Sequence, residues 1–98
     1  MPNYDLIILT PNGGEVFYKN TERVIRWEHS DLSGSVQIDL FEDGWYQGYV
    51  INTTLNNGYY LWSISNDIFA SKKYKIRIKH IQNTTKFDFS NEDFEIKN

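Results

Sequence analysis

Period-two alternation of apolar and polar residues, in short runs broken by Gly, Asn, Asp and Ser, constrains this chain more than any other feature. Successive side chains of a strand point to opposite faces, so such runs read as half-buried β-strands. The cleanest is Tyr74, Ile76 and Ile78 set between Lys73, Lys75, Arg77 and Lys79. Val36, Ile38 and Leu40 alternate in the same way with Gln37, Asp39 and Phe41. Ile25 and Trp27 oppose Arg26 and Glu28 within 22–28, and Tyr60, Trp62 and Ile64 oppose Tyr59, Leu61 and Ser63. In 45–51 strict alternation puts Trp45, Gln47 and Tyr49 on one face. Leu6 to Thr10 and Val16 to Tyr18 supply two more segments, and a last strand carries Phe94 and Ile96 inward, with Phe87 and Phe89 at its start.

The breaks between these runs have a mechanism of their own. Pro11-Asn12-Gly13-Gly14, Glu42-Asp43-Gly44 and Asn56-Asn57-Gly58 are turn clusters in which Gly supplies positive φ. No segment sustains the i, i+3, i+4 pattern of a helix, and only Ser65 to Ser71 has room for one helical turn. The expectation is therefore a single all-β domain over residues 1–98, an immunoglobulin- or fibronectin-like sandwich of about seven antiparallel strands.

Composition removes several classes of function. A formal net charge of −3 argues against nucleic-acid binding driven by phosphate contacts. The chain has no cysteine, which excludes disulfides, thiolate metal sites and thiol nucleophiles. Its longest apolar run, Leu6-Ile7-Ile8-Leu9, falls far short of the roughly 20 residues of a membrane helix, so membrane insertion is not expected. The N-terminus lacks the basic-then-apolar pattern of a signal peptide. Aromatics make up 16% of the residues, more than a core of this size needs, so some rings are expected at the surface.

Read in order, the turn motif and the later landmarks resemble one known family. Pro11-Asn12-Gly13-Gly14-Glu15, Phe17, and Ile25-Arg26-Trp27 open the resemblance. Val36-Gln37-Ile38-Asp39-Leu40, Asn57-Gly58-Tyr59-Tyr60-Leu61-Trp62, Tyr74-Lys75-Ile76-Arg77-Ile78 and Phe94-Glu95-Ile96 continue it along nearly the whole chain. These segments are similar to the Ser/Thr-rich glycosylphosphatidylinositol-anchored membrane family, whose members include yeast proteins of cell-wall β-glucan assembly. The resemblance implies an immunoglobulin-like module of secreted or surface proteins, extracellular or surface-associated, with no established catalytic residues. Members usually carry Trp where this chain has Phe17, and the Ser/Thr-rich tail and lipid-anchor signal of the fungal members are not in this sequence.

Candidate chemistry is sparse. A catalytic triad needs a base, for which only His29 and His80 are available. His29 lies in the loop-like Glu28-His29-Ser30-Asp31, and His80 ends a strand; neither has a partner at triad or zinc-ligand spacing. Glu42 with Asp43, or Asn91-Glu92-Asp93, could offer oxygen to calcium, but neither has the spacing of a ligand loop, and both read as polar turns. No metal, no cofactor and no catalytic residue is expected. The basic stripe Lys73, Lys75, Arg77 and Lys79 has two readings, an anionic-polymer or phosphate patch and cross-strand pairing; pairing is preferred, because an immunoglobulin-like order sets this strand between the one bearing Asp39 and the one bearing Asp93 and Glu95. The sequons at Asn52 and Asn83 fall in expected loops.

The aromatic residues divide into two groups. Trp27, Tyr60, Trp62 and Tyr74 fall on inward positions. Trp45, Tyr46, Tyr49 and Tyr59 gather around the 42–44 hairpin and the adjacent strand and form the candidate ligand-binding group. Flat exposed rings on a rigid sheet serve both protein hot spots and sugar faces. The expected function is a non-catalytic interaction or adhesion module, whose partner is a protein or polysaccharide at a cell or particle surface. The alternatives are carbohydrate binding centred on Trp45, Tyr46 and Tyr49, and self-association as a homodimer.

Overall fold

The computed structural model describes residues 6–29 and 34–98, and in these the alternating runs become strands. They are β1 (Leu6–Thr10), β2 (Val16–Tyr18), β3 (Glu22–His29), β4 (Ser35–Glu42), β5 (Trp45–Leu55), β6 (Tyr59–Ser63), β7 (Ser71–His80), β8 (Phe87–Phe89) and β9 (Phe94–Lys97). Two sheets pack together: a three-stranded sheet in the order β1-β3-β6 and a larger one in the order β2-β9-β7-β4-β5. β8 joins the larger sheet by pairing with β7. The segment 65–70, where one helical turn had room, is irregular turn instead.

The inward positions of both sheets form one core. Ile25, Trp27 and Trp62 of the smaller sheet meet Val36, Ile38, Leu40, Tyr74, Ile76, Ile78, Phe94 and Ile96 of the larger one, all buried. Trp27 is buried with its polar atom satisfied, because the indole Nε1–H donates to Asn56 Oδ1 at 2.9 Å. Asn56-Asn57-Gly58 joins β5 of the larger sheet to β6 of the smaller one, with Asn56 turned inward and the Gly58 carbonyl accepting the Trp27 amide.

The Pro11–Glu15 motif ties the end of β1 to the far end of the chain. The Glu15 carboxylate accepts the amides of Asn12 and Gly13, each at 2.8 Å, which folds the turn on itself. The turn then docks on the 90–93 segment: the Asn91 amide donates to Asn12 Oδ1, Glu92 N–H to the Asn12 carbonyl, and Gly14 N–H to the Asp93 carbonyl. A Cβ on Gly13 would stand 2.6 Å from Glu92 Cβ, so only glycine allows this approach.

Four expectations need correction. The described residues hold nine strands rather than about seven, partly because Phe87–Phe89 is a strand of its own and does not begin β9. β7 is ten residues long, so β9 pairs with its first half and β8 with its second. The strands are not all antiparallel, since β2 runs parallel to β9. β5 extends to Leu55, which places Asn52 on a strand and not in a loop, whereas Asn83 does lie in a turn. His29 ends β3 opposite Leu6 and so is not in a loop, and its neighbours Ser30 and Asp31 lie outside the described residues.

Candidate functional site

On the outer face of the larger sheet several of the chain's surface rings meet its charge ladder. On β4 the outward positions are Gln37, Asp39 and Phe41, since Val36, Ile38 and Leu40 fill the core. Strand register sets Arg77 of β7 opposite Asp39, and Lys75 opposite Phe41. On the far side of β7, Phe89 faces Arg77 and Phe87 faces Lys79. On the other side of β4, Tyr49 faces Asp39 and Tyr46 faces Phe41.

This register revises the expected grouping of rings. Tyr46 and Tyr49 are three residues apart, yet both oppose outward residues of β4, because an extra residue is inserted between the pairs Leu40–Gly48 and Phe41–Tyr46. A β-bulge shifts parity by one, and strict alternation had set Trp45, not Tyr46, beside Tyr49. Trp45 instead opposes Glu42 at the hairpin and is 74% exposed. The hairpin itself is the expected two-residue turn, with positive φ at both Asp43 (51°) and Gly44 (83°). Tyr59 does not belong to this group. It opposes Arg26 of β3, an outward residue of the smaller sheet, so it occupies the opposite face of the sandwich.

A row of rings therefore crosses four adjacent strands. Tyr46 and Phe41 meet edge to face at 5.6 Å, Phe41 and Phe89 at 5.1 Å, and Phe89 and Phe87 at 6.1 Å. The Arg77 guanidinium lies over Phe41 at 5.1 Å and Phe89 at 5.7 Å from the ring centroids. Its Nε and Nη2 both donate to Asp39 Oδ2, at 3.0 and 2.7 Å, while Asp39 Oδ1 accepts from Gln37 Nε2 at 2.7 Å. Asp39 is wholly buried although it points away from the core, because this layer of side chains covers it. The pair fixes the guanidinium, and the guanidinium in turn orders the rings on either side.

The charge stripe pairs with its flanking strands only in part, through Arg77 with Asp39 and Lys75 with Asp93, while Lys73 reaches the turn residue Asp43 instead. Both lysine pairs stand at 3.9 Å. These two looser pairs border a groove of about 510 Å³ beside Phe41 and Phe89. Sequence reading missed Phe41, Phe87 and Phe89 as surface rings. Their signal was present in Phe41 sharing parity with Gln37 and Asp39, and in Phe87 and Phe89 flanking Asp88. Asp88 takes the inward side of β8, where its carboxylate accepts the Ile8 amide of β1 at 2.8 Å.

The remaining candidates are occupied structurally. His80 is buried, and its Nδ1 accepts the Asn83 amide at 3.0 Å. The Glu42 carboxylate accepts the Ser71 hydroxyl at 2.9 Å. Among the described residues no three His, Cys, Asp or Glu side chains are grouped to hold a metal. No helix among them is long and apolar enough to cross a membrane. Set against known proteins, the chain matches no family model, no curated protein and no solved structure.

Proposed function

We propose that this chain is a non-catalytic interaction module, an immunoglobulin-like sandwich that presents the outer aromatic face of its larger sheet to a protein or polysaccharide at a cell or particle surface. The observation that carries the reading is the row Tyr46–Phe41–Arg77–Phe89–Phe87, with Tyr49 beside it, held across four strands by a buried carboxylate. Aromatic and Arg side chains dominate binding hot spots, and a surface ordered before contact loses little entropy when it binds. The immunoglobulin-like order is favoured by β7 lying between β4 and β9, and a surface location follows from the family resemblance alone.

Self-association through the sheet edge is the weaker reading. β5 forms one edge of the larger sheet, and three irregularities in its register with β4 interrupt the regular hydrogen-bonding row that a second strand would need.

Co-sedimentation of the purified protein with washed cells and with insoluble polysaccharide particles tests the proposal. The Tyr46→Ala/Tyr49→Ala variant should remain folded, with a melting temperature lowered by only a few degrees, and bind about tenfold more weakly. Equal retention of wild type and variant, or no retention of either, refutes the assignment.

A further inference from the structure

The groove of about 510 Å³ on this same face has a lining that narrows what can enter it. Phe41 and Phe89 supply apolar surface, and Lys73, Lys75, Asp43 and Asp93 stand around them. Its volume falls within the roughly 300–1,000 Å³ typical of small-molecule sites.

Charge decides between ligand classes. Two ammonium and two carboxylate groups leave the groove with no net formal charge. Each ammonium already has a carboxylate 3.9 Å away, so an anionic ligand would meet repulsion beside every attraction. A wholly apolar ligand would strip water from four charged groups and offer nothing in return. At 3.9 Å the pairs are also longer than the about 2.7–2.9 Å of a tight ionic hydrogen bond. Each therefore keeps open donor and acceptor positions that a hydroxyl, both donor and acceptor, can enter.

We infer that this groove is a subsite for a neutral saccharide unit, resting on the reading of the outer aromatic face as a binding surface. The apolar C–H face of a pyranose would stack on one of the two rings, Phe41 or Phe89, with the other, set at 68° to it, against the sugar's edge, and its hydroxyls would bridge the Lys75–Asp93 and Lys73–Asp43 pairs. Tyr46, 5.6 Å from Phe41, continues the apolar surface toward Tyr49, so a longer chain has a path along the sheet. Recognition is by ring stacking and hydroxyl bridging, with no bond made or broken.

Nuclear magnetic resonance titration of the ¹⁵N-labelled protein tests this assignment. The probes are neutral tri- to hexasaccharides of glucose, mannose, galactose and N-acetylglucosamine at millimolar concentration, with a sulfated oligosaccharide as the charged counterpart. At least one neutral probe should shift the amides of Phe41, Gly44, Lys75 and Phe89. Phe89→Ala should weaken that binding about tenfold. Lys75→Met, which keeps the side-chain stem and leaves the core untouched, should weaken it in the same direction. Silence of these amides with every neutral probe overturns the inference, as does tighter binding of the sulfated one. Shifts confined to Trp45–Tyr49 overturn the groove but leave the aromatic-face reading standing, and that reading is judged separately by the Tyr46→Ala/Tyr49→Ala sedimentation result.

Discussion

Replacing Arg77 with methionine should destabilise the fold by about 3 kcal/mol, because it strands a buried charge. Asp39 is fully buried, and among the described residues Arg77 supplies two of the three hydrogen bonds that its carboxylate accepts. Removing one member of a buried pair costs about 3–5 kcal/mol, and the lower end applies because the Arg77 side chain is 26% exposed and water can reach the vacated position. The lost contacts of the guanidinium over Phe41 and Phe89 are part of this cost. For a domain of this size each kcal/mol lowers Tm by about 4–8 °C, so the expected drop is roughly 12–24 °C. The companion variant Asp39→Leu/Arg77→Met removes both charges and should lie within about 1 kcal/mol of wild type, since an apolar pair of similar volume replaces a buried ion pair at little cost. Urea unfolding followed by Trp fluorescence measures all three proteins and closes the cycle with Asp39→Leu. If Arg77→Met costs less than about 1 kcal/mol, or the double variant costs the sum of the two singles, the pair is not the brace argued for above.

Three further outcomes are expected. The Tyr74 hydroxyl donates to the Phe69 carbonyl at 2.6 Å, and its pKa is pushed up to about 12, first by burial and then by the Glu42 carboxylate. Above pH 10 the unfolded phenol ionises while the folded one stays protonated, so stability falls by about 1.4 kcal/mol per pH unit and levels off above pH 12. Tyr74→Phe should thus be less stable than wild type by about 1 kcal/mol at neutral pH and more stable near pH 11.5; a difference independent of pH in urea melts refutes this. Asn56→Ala leaves the buried Trp27 indole N–H without its acceptor and should cost about 1–3 kcal/mol, with a change in near-ultraviolet circular dichroism; an unchanged unfolding midpoint counts against it. Gly13→Ala should cost about 1–3 kcal/mol through collision with Glu92 and raise hydrogen exchange at Asn91 and Glu92, whereas unchanged exchange there would show that the docked turn does not depend on this glycine.

The inward face of nearly every strand was legible because burial imposes a period of two that the residues carry locally. Ile25, Trp27, Ile38, Trp62, Ile76 and Ile96 each sit where alternation places them. The Asp43-Gly44 turn was equally readable, since positive φ at two successive residues selects few residue types. Cross-strand pairing of Arg77 with Asp39 also followed once a strand order was assumed.

What the sequence alone determined is thus the all-β character, the core set, the turns and the exclusion of thiol chemistry. Tertiary structure decided the site. A single bulge in β5 turned Tyr46 to the face of Tyr49, and the sheet assignment of β6 carried Tyr59 to the opposite side of the molecule. Only the pairing of β8 with β7 brought Phe89 beside Phe41, residues 48 apart in the chain. Alternation is a local property of the backbone and can be read from neighbours. Register, bulges and strand order depend on which distant segments pair, and no window of sequence contains that information.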